Sequence, residues 1–452
     1  MGFRKDFIWG AGTSAYQVEG RGENDGKGDS VWDVMAHESG RIKDGVTGDV
    51  ACDHYHRFKE DVALMKELGL KSYRFSIAWT RIIPEGVGQV NQKGIDFYNA
   101  LIDELIAAGI KPCITLFHWD YPEALEKLGG WQNPDSPEWF RAYTEVVVKA
   151  FGDRVKMYVT LNEPQCFLGA YTDGYSAPGK SLPMRYVIGM MHNAFIAHGL
   201  AVKEIRKYVK DAFVGFAPTC GVNIPLTDSP EDVEASRRQY YDIDPSSWVW
   251  NLVLWSDPLL LGSYPEHSEA FKNMIRPHLP KTYEKDLETI FQPLDFCGQN
   301  IYNGSYWKAG EDGKAVWVNR HLGAPRTAIG WPVTPEALYW GPKFLYERYK
   351  KPVIICENGI SCCDTISIDG KVHDPERIDF AHRYLRELKR AADDGVDIAG
   401  YYHWSIMDNV EWLFGYTERF GLIYVDFPTQ KRIRKDSYEW YKGVIAENGE
   451  NL

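Results

Sequence analysis

No stretch of this 452-residue chain is apolar for long enough to cross a bilayer as a helix, which excludes a helical membrane protein. Runs of like charge are missing too. The 51 Lys and Arg are interspersed with 63 Asp and Glu, so the net charge of -12 forms no basic surface that could neutralise phosphates. That argues against a nucleic-acid partner. Linkers, low-complexity segments and composition breaks are absent, which predicts one domain over residues 1–452. Residues 1–6 are charged and short, and residues 7–9 already read as strand. With no apolar segment before a small-residue cleavage site, no secretory signal is expected. No Cys-x-x-Cys occurs. Cys113, Cys220, Cys297 and Cys356 sit inside apolar runs, and Cys362 and Cys363 are adjacent, so free core thiols in a reducing cytoplasm are expected rather than a disulfide framework. The glycines of Gly20-Arg21-Gly22 and Gly26-Lys27-Gly28 fail the phosphate-loop pattern, which needs Gly at position 21 and Ser or Thr at position 28. They predict a long loop after the first strand. Cys52, His54 and His56 lie before a helix pattern leading into the second strand, where packed or capping roles are expected and no metal.

Aromatic residues are abundant. Sixteen Trp and 27 Tyr exceed what a core of this size requires. Aromatic rings can cover the flat C–H faces of sugars, while the sugar hydroxyls need polar partners nearby.

Short apolar segments rich in β-branched residues recur at 7–15, 72–79, 111–119, 156–164, 213–220, 294–302, 352–360 and 398–405. Helix-period segments lie between them. Tyr98, Leu101, Ile102, Leu105 and Ile106 form one apolar face ending at Gly109, and Phe140, Tyr143, Val147 and Phe151 another ending at Gly152. Val62, Met65 and Leu68 precede Gly69 in the same way. Strands alternating with helices imply parallel βαβ units with right-handed crossovers. Nearly continuous apolar strands fit a sheet buried on both faces. Eight units predict an α/β fold of one closed (β/α)8 TIM barrel, with its site at the C-terminal strand ends. Residues 223–257 and 304–331 are the long βα-loop insertions. The rival reading is a doubly wound open sheet in two domains.

Polar groups close the predicted strands where a barrel site would be. The third ends in Phe117-His118-Trp119-Asp120, the fourth in Asn162-Glu163-Pro164 and the sixth in Asn300-Ile301-Tyr302. The seventh ends in Glu357-Asn358-Gly359 and the eighth in His403-Trp404-Ser405. A carboxylate ending an apolar strand is costly unless it is paired or used. A single Glu there reads as an ion-paired rim residue. Two, on strands four and seven, face each other across a barrel mouth and suit glycoside hydrolysis, with one acid on the leaving oxygen and one carboxylate on the opposite face.

Thr160-Leu161-Asn162-Glu163-Pro164 and Ile354-Ile355-Cys356-Glu357-Asn358-Gly359 closely resemble the two signatures of glycoside hydrolase family 1. The resemblance covers essentially the whole chain, from Phe7-Ile8-Trp9-Gly10-Ala11-Gly12 through Tyr73-Arg74-Phe75-Ser76 to Trp404-Ser405-Ile406-Met407-Asp408-Asn409-Val410-Glu411-Trp412 and Arg419-Phe420-Gly421-Leu422. It implies a retaining β-glycosidase, with Glu163 as acid/base and Glu357 as nucleophile about 5–5.5 Å apart. It further implies that Gln17, His118, Asn162, Trp404, Glu411 and Trp412 grip the glycone sugar, with Trp119 and Phe420 lining the same pocket. Asn300 joins this binding set, Arg74 and Tyr302 match groups beside the nucleophile, and Trp331 matches a platform on the aglycone side. Ile301 stands where the family often has Tyr and is expected to point away from the pocket.

An Arg74 cation and a Tyr302 hydroxyl would favour an ionised Glu357. The charge of Glu357 would raise the pKa of Glu163. Related 6-phospho-β-glycosidases carry Ser at position 411 and a Lys shortly after. Glu411 in Glu411-Trp412-Leu413-Phe414-Gly415-Tyr416-Thr417 is expected to accept hydrogen bonds from sugar hydroxyls and to repel a phosphate dianion. Glu163 separates the chain from plant thioglucosidases, which have Gln there. The expected partner is therefore a small-molecule β-glycoside, without a cofactor. A 6-phospho-β-glucosidase and a catalytically silent carbohydrate-binding barrel are the alternatives. Glucose, galactose and fucose stay open as the glycone, as do the aglycone and the oligomeric state.

Overall fold

A computed structural model describes residues 2–22 and 25–452; Met1, Glu23 and Asn24 lie outside them. Eight strands form one parallel sheet: β1 (Ile8–Gly12), β2 (Ser72–Ser76), β3 (Lys111–Phe117), β4 (Met157–Asn162), β5 (Phe213–Ala217), β6 (Cys297–Asn300), β7 (Val353–Asn358) and β8 (Ile398–Trp404). Their spatial order, β5-β4-β3-β2-β1-β8-β7-β6, brings the first and last strands together at β1–β8. Every strand falls inside a segment predicted from the sequence.

The seam between β5 and β6 nearly closes the barrel. The Asp295 N–H donates to the Val214 carbonyl (2.8 Å) and the Asn300 N–H to the Pro218 carbonyl (2.9 Å). Gly298 permits this approach, because a Cβ there would lie 2.4 Å from the Phe216 carbonyl oxygen. A cluster of Cys113, Met157, Val159, Ala217, Phe296, Ile354, Cys356, Ala399 and Tyr402, separate from the larger core, packs between the strands.

Helices cover the outside: His54–Leu68, Gln92–Ala107, Ser136–Phe151, Met184–Tyr208, Tyr283–Ile290, Ala337–Tyr349, Pro375–Asp393 and Asp436–Ala446. Phe140, Tyr143, Val147 and Phe151 are fully buried, as their spacing predicts. Of the other predicted face, Tyr98 to Leu105 are buried but Ile106 is 43% exposed, because the helix turns it off the stripe near its end.

The two insertions are more ordered than loops. Val222–Pro225, Gly304–Ala309 and Ala315–Val318 form a small three-stranded sheet beside the barrel mouth, backed by the helix Pro230–Tyr240. Each strand is only four to six residues long, too short for its pattern to stand out from loop sequence. All eight cysteines are free. Among the described residues, no helix is long and apolar enough to cross a membrane.

Replacing Gly298 with Ala forces a methyl group against the Phe216 backbone and should lower unfolding stability by about 1–3 kcal/mol. Gly189→Ala, on a helix where a Cβ meets nothing within 4 Å, should be neutral or stabilising by up to about 1 kcal/mol. Chemical denaturation of both variants checks the seam; equal stabilities would refute it.

Candidate active site

Parallel strands deliver all their C-terminal ends to one rim, so the residues just beyond each apolar strand converge there. Glu163 follows β4 in a left-handed conformation (φ 47°, ψ 65°) and caps the helix Pro164–Asp173. Its N–H donates to the Ala217 carbonyl (2.7 Å) and its own carbonyl accepts from the Cys166 N–H (2.9 Å). Trp119 (φ 79°) and Trp412 (φ 46°) are also left-handed. Non-glycine residues in that region cost roughly 1–3 kcal/mol each and cluster where surrounding structure aims a side chain.

Arg74, fully buried on β2, is the hub. Its Nη1 donates to Glu357 Oε1 (2.7 Å) and to the Cys356 carbonyl (3.2 Å), and its Nη2 to Asn162 Oδ1 (2.5 Å). Tyr302 donates its hydroxyl to the other Glu357 oxygen, Oε2, at 2.9 Å. Burial and the charge of Glu357 push that phenol well above 10, so it stays a donor. Both oxygens of Glu357 therefore face donors that keep their protons near neutral pH.

Arg74 also fixes its neighbours' orientations. Asn162 Oδ1 accepts from Arg74 and from Asn300 Nδ2 (3.1 Å), so the Asn162 amide nitrogen must donate, and it does, to His118 Nε2 at 3.0 Å. Burial, with Arg74 nearby, pushes His118 well below its usual value, so the ring is neutral. The proton then sits on Nδ1, which has no partner among the described residues and is a donor to spare.

Asn300 Nδ2 reaches onward to Glu163 Oε1 (2.9 Å), and the Cys166 thiol lies 3.3 Å from Oε2. Burial first, and the Glu357 charge second, raise Glu163 to about 8. The Glu357 charge acts in the direction the sequence predicts, and desolvation leads because the carboxyl is buried. Glu411 rises to about 8 by the same route, through burial and then the charges of Glu357 and Glu163. Around neutral pH it is largely a neutral acid, which weakens the expected anionic repulsion of phosphate.

These groups share a cavity of about 720 Å3, whose wall includes His118, Trp119, Glu163, Glu357, Trp404, Glu411 and Trp412. Trp119 stacks on Trp412 with ring centroids 4.4 Å apart, and His118 on Trp404 at 5.7 Å. Tyr302 and half-buried Trp331 also line it, their rings 5.0 Å apart edge-to-face. Among the described residues, no lining side chain is Lys or Arg. Hydrogen-bonding groups thus share the cavity with indole faces, and its lining also includes exposed Trp250 and Phe414, with Leu413 and Pro332, beside polar Thr172, Asp173 and Asn303. Such a cavity suits a polar ring that can be covered by an indole face.

The model of glycosyl hydrolase family 1 matches residues 1–450. The chain belongs to that family. It is 43% identical to β-glucosidase A of Thermotoga maritima, covering 99% of this chain and 98% of that one. It is 44% identical to β-glucosidase A of Acetivibrio thermocellus, covering 99% of each. The solved structure of the Thermotoga maritima β-glucosidase in complex with glucoimidazole superposes with a TM-score of 0.89 at 43% identity, covering 99% of each chain.

Not every residue the family pattern points to lies open in the cavity wall. Gln17 is fully buried behind Glu411: its Oε1 accepts from Ser14 Oγ (2.7 Å), and its Nε2 donates to the Val410 carbonyl (2.7 Å) and approaches Glu411 Oε2 (3.5 Å). Phe420 is buried against Tyr302 and Trp331. Asn162 and Asn300 sit beneath the floor, joined to it by the hydrogen bonds above. Ile301 packs toward Gly341, away from the cavity, as its position predicts. His54 pairs with Asp61 (2.7 Å), which also binds Arg432, while the Cys52 thiol donates to the Asp408 carbonyl, so each has a packing role. Among the described residues, no group of three His, Cys, Asp or Glu is arranged to hold a metal ion.

Sequence reasoning missed Cys166, Trp250 and Phe414. Cys166 was detectable: it lies three residues after Glu163 on a helix that Pro164 starts, and that spacing puts both on one face. The two rim aromatics carried no local signal.

Arg74 and Glu357 are a buried ion pair, and removing one partner strands the other charge. Arg74→Met should cost about 3–5 kcal/mol in denaturant unfolding at neutral pH. A loss below about 1 kcal/mol, the range of exposed pairs, would show that the pair does not organise the floor.

Proposed function

We propose that the chain is a retaining β-glucosidase that releases a non-reducing terminal β-linked glucose, using Glu163 as acid/base and Glu357 as nucleophile. One observation carries this reading: two carboxyls share a cavity wall, yet one is held at about 8 while the other faces Arg74 and Tyr302. Divergent environments divide acid from nucleophile in this way.

In the first step Glu357 attacks the anomeric carbon as Glu163 gives its proton to the leaving oxygen. The bond to the aglycone breaks and a glycosyl ester forms on Glu357. That ester is neutral. Glu163 then loses the Coulombic part of its shift, takes a proton from water and directs that water onto the anomeric carbon, freeing Glu357 and the sugar. His118, Glu411 and the indoles of Trp404 and Trp412 hold the glycone, with Asn162 fixing the His118 ring from beneath, Gln17 setting the Glu411 carboxyl and Trp119 and Phe420 backing the wall. Trp331, with Trp250 and Phe414, receives the leaving group. No cofactor enters the scheme. The reading treats the chain as one catalytic domain and, from its free thiols, as a cytoplasmic protein.

Two alternatives lose ground on particular residues. A 6-phospho-β-glucosidase needs a cation for its phosphate, and among the described residues the cavity wall offers no Lys or Arg. A silent sugar-binding barrel has no use for two carboxyls in opposed environments. Turnover of p-nitrophenyl β-glucoside, compared with its 6-phospho derivative, decides among the three. The plain glucoside should be hydrolysed and the phosphorylated one slower; the reverse order, or no turnover of either, overturns the proposal.

Because Glu163 must be protonated for the first step and titrates at about 8, kcat/KM should fall as pH rises through that region. Glu163→Ala should lower kcat/KM by about 10²–10⁴ for substrates whose leaving group needs a proton. It should spare activated aryl glucosides in the first step, and added azide should restore their turnover. If azide restores none, Glu163 is not the acid/base.

A further inference from the structure

The two oxygens of Glu163 have unlike partners. Oε1 accepts from Asn300 Nδ2, and that amide cannot turn round, because the same nitrogen donates to Asn162 Oδ1, itself committed to Arg74 as an acceptor. A fixed donor makes Oε1 the less basic oxygen and leaves it as the carbonyl when the group is protonated. Oε2 faces the Cys166 thiol at 3.3 Å. A thiol can donate a hydrogen bond or accept one, and its S–H rotates freely. The first turn of the helix Pro164–Asp173 holds it there, since the Cys166 N–H is bonded to the Glu163 carbonyl. The thiol also forms part of the cavity wall.

We propose that Glu163 carries its transferable proton on Oε2 and that Cys166 is a positioning residue for that oxygen, donating to it when Glu163 is ionised and accepting from it when Glu163 is protonated. This rests on the acid/base role of Glu163. The thiol suits the task because burial and the charge of Glu163 push it well above its ordinary value, so it stays S–H while the carboxyl cycles. The other groups facing Glu163 are Glu357 on β7, Arg74 on β2, Asn300 on β6, Tyr302 just beyond it and Glu411 after β8. Cys166→Ala leaves all of them in place.

The charge-assisted S–H···O⁻ bond to the ionised carboxyl is stronger than the neutral O–H···S contact, so the thiol on balance favours ionisation. Removing it should move the alkaline limb of kcat/KM to higher pH, by about half a unit for one weak hydrogen bond. Cys166→Ser keeps a rotatable donor and should return the limb to its wild-type place, with KM nearly unchanged in both variants. A limb in Cys166→Ala that coincides with wild type, or one displaced equally in Cys166→Ser, overturns the proposal. The infrared S–H stretch, taken as wild type minus Cys166→Ser, gives a second readout that needs no alanine variant. It should shift as pH crosses the limb, and a band that does not move is equally fatal. Azide rescue of Glu163→Ala separates the two levels. Rescue with no limb shift removes only the role of Cys166, whereas failure of rescue removes the acid/base reading with it.

Discussion

One guanidinium organises the site. Arg74 has no exposed surface, and a cation there is tolerable only because it is consumed by partners: Glu357, the Cys356 carbonyl and Asn162. From those contacts the orientation of every polar group on the floor follows by elimination. Asn162 must accept from Arg74, hence must donate to His118. Asn300 must donate to Asn162, hence also to Glu163. A chain of fixed donors thus runs from the base of one carboxyl to the side of the other. The barrel supplies the geometry because β2, β4, β6 and β7 bring these residues to one interior, where the long Arg74 side chain reaches both Glu357 and Asn162.

The electrostatics depend on burial as much as on charge. Glu163 and Glu411 both rise to about 8, and for each the loss of water ranks ahead of the neighbouring carboxylates. Water exclusion is in turn a property of the walls: Trp119 on Trp412, Trp404 beside His118, and Tyr302 against Trp331. The aromatic surplus in the sequence therefore has two uses. Indole faces match the apolar side of a sugar ring, and their bulk lowers the local dielectric so that small differences between carboxyls become large differences in proton affinity.

What the sequence made legible follows the same physics. The eight barrel strands were found because each lies in a mostly apolar segment buried on both faces, and in two of them a polar cluster at the end marks the rim: Asn162-Glu163-Pro164 and Glu357-Asn358-Gly359. The small sheet of Val222–Pro225, Gly304–Ala309 and Ala315–Val318 was read as loop because strands that short and partly exposed have little periodicity. Three features of the site depend on positions in space that no local pattern encodes. Gln17 is turned into the protein by Ser14 and Val410, Glu411 is largely neutral, and Trp250 and Phe414 arrive at the mouth from separate loops. The thiol of Cys166 was within reach of helix geometry, yet an apolar-run cysteine invites the reading of inert core.

Three carboxyls around one cavity with Arg74 as the cation beneath its floor form a coupled set, so the charge on any one bears on the others. In the proposed cycle, ester formation at Glu357 neutralises the member that Arg74 serves. Glu163 and Glu411 both lose a repulsive neighbour at that moment, and both become easier to ionise. For Glu163 this turns an acid into a base. For Glu411 it strengthens acceptance of hydrogen bonds from the glycone hydroxyls while the sugar is covalently held. The same charge change that switches the catalytic group thus tightens the grip on the ring, and release of the sugar, which restores the Glu357 carboxylate, loosens it.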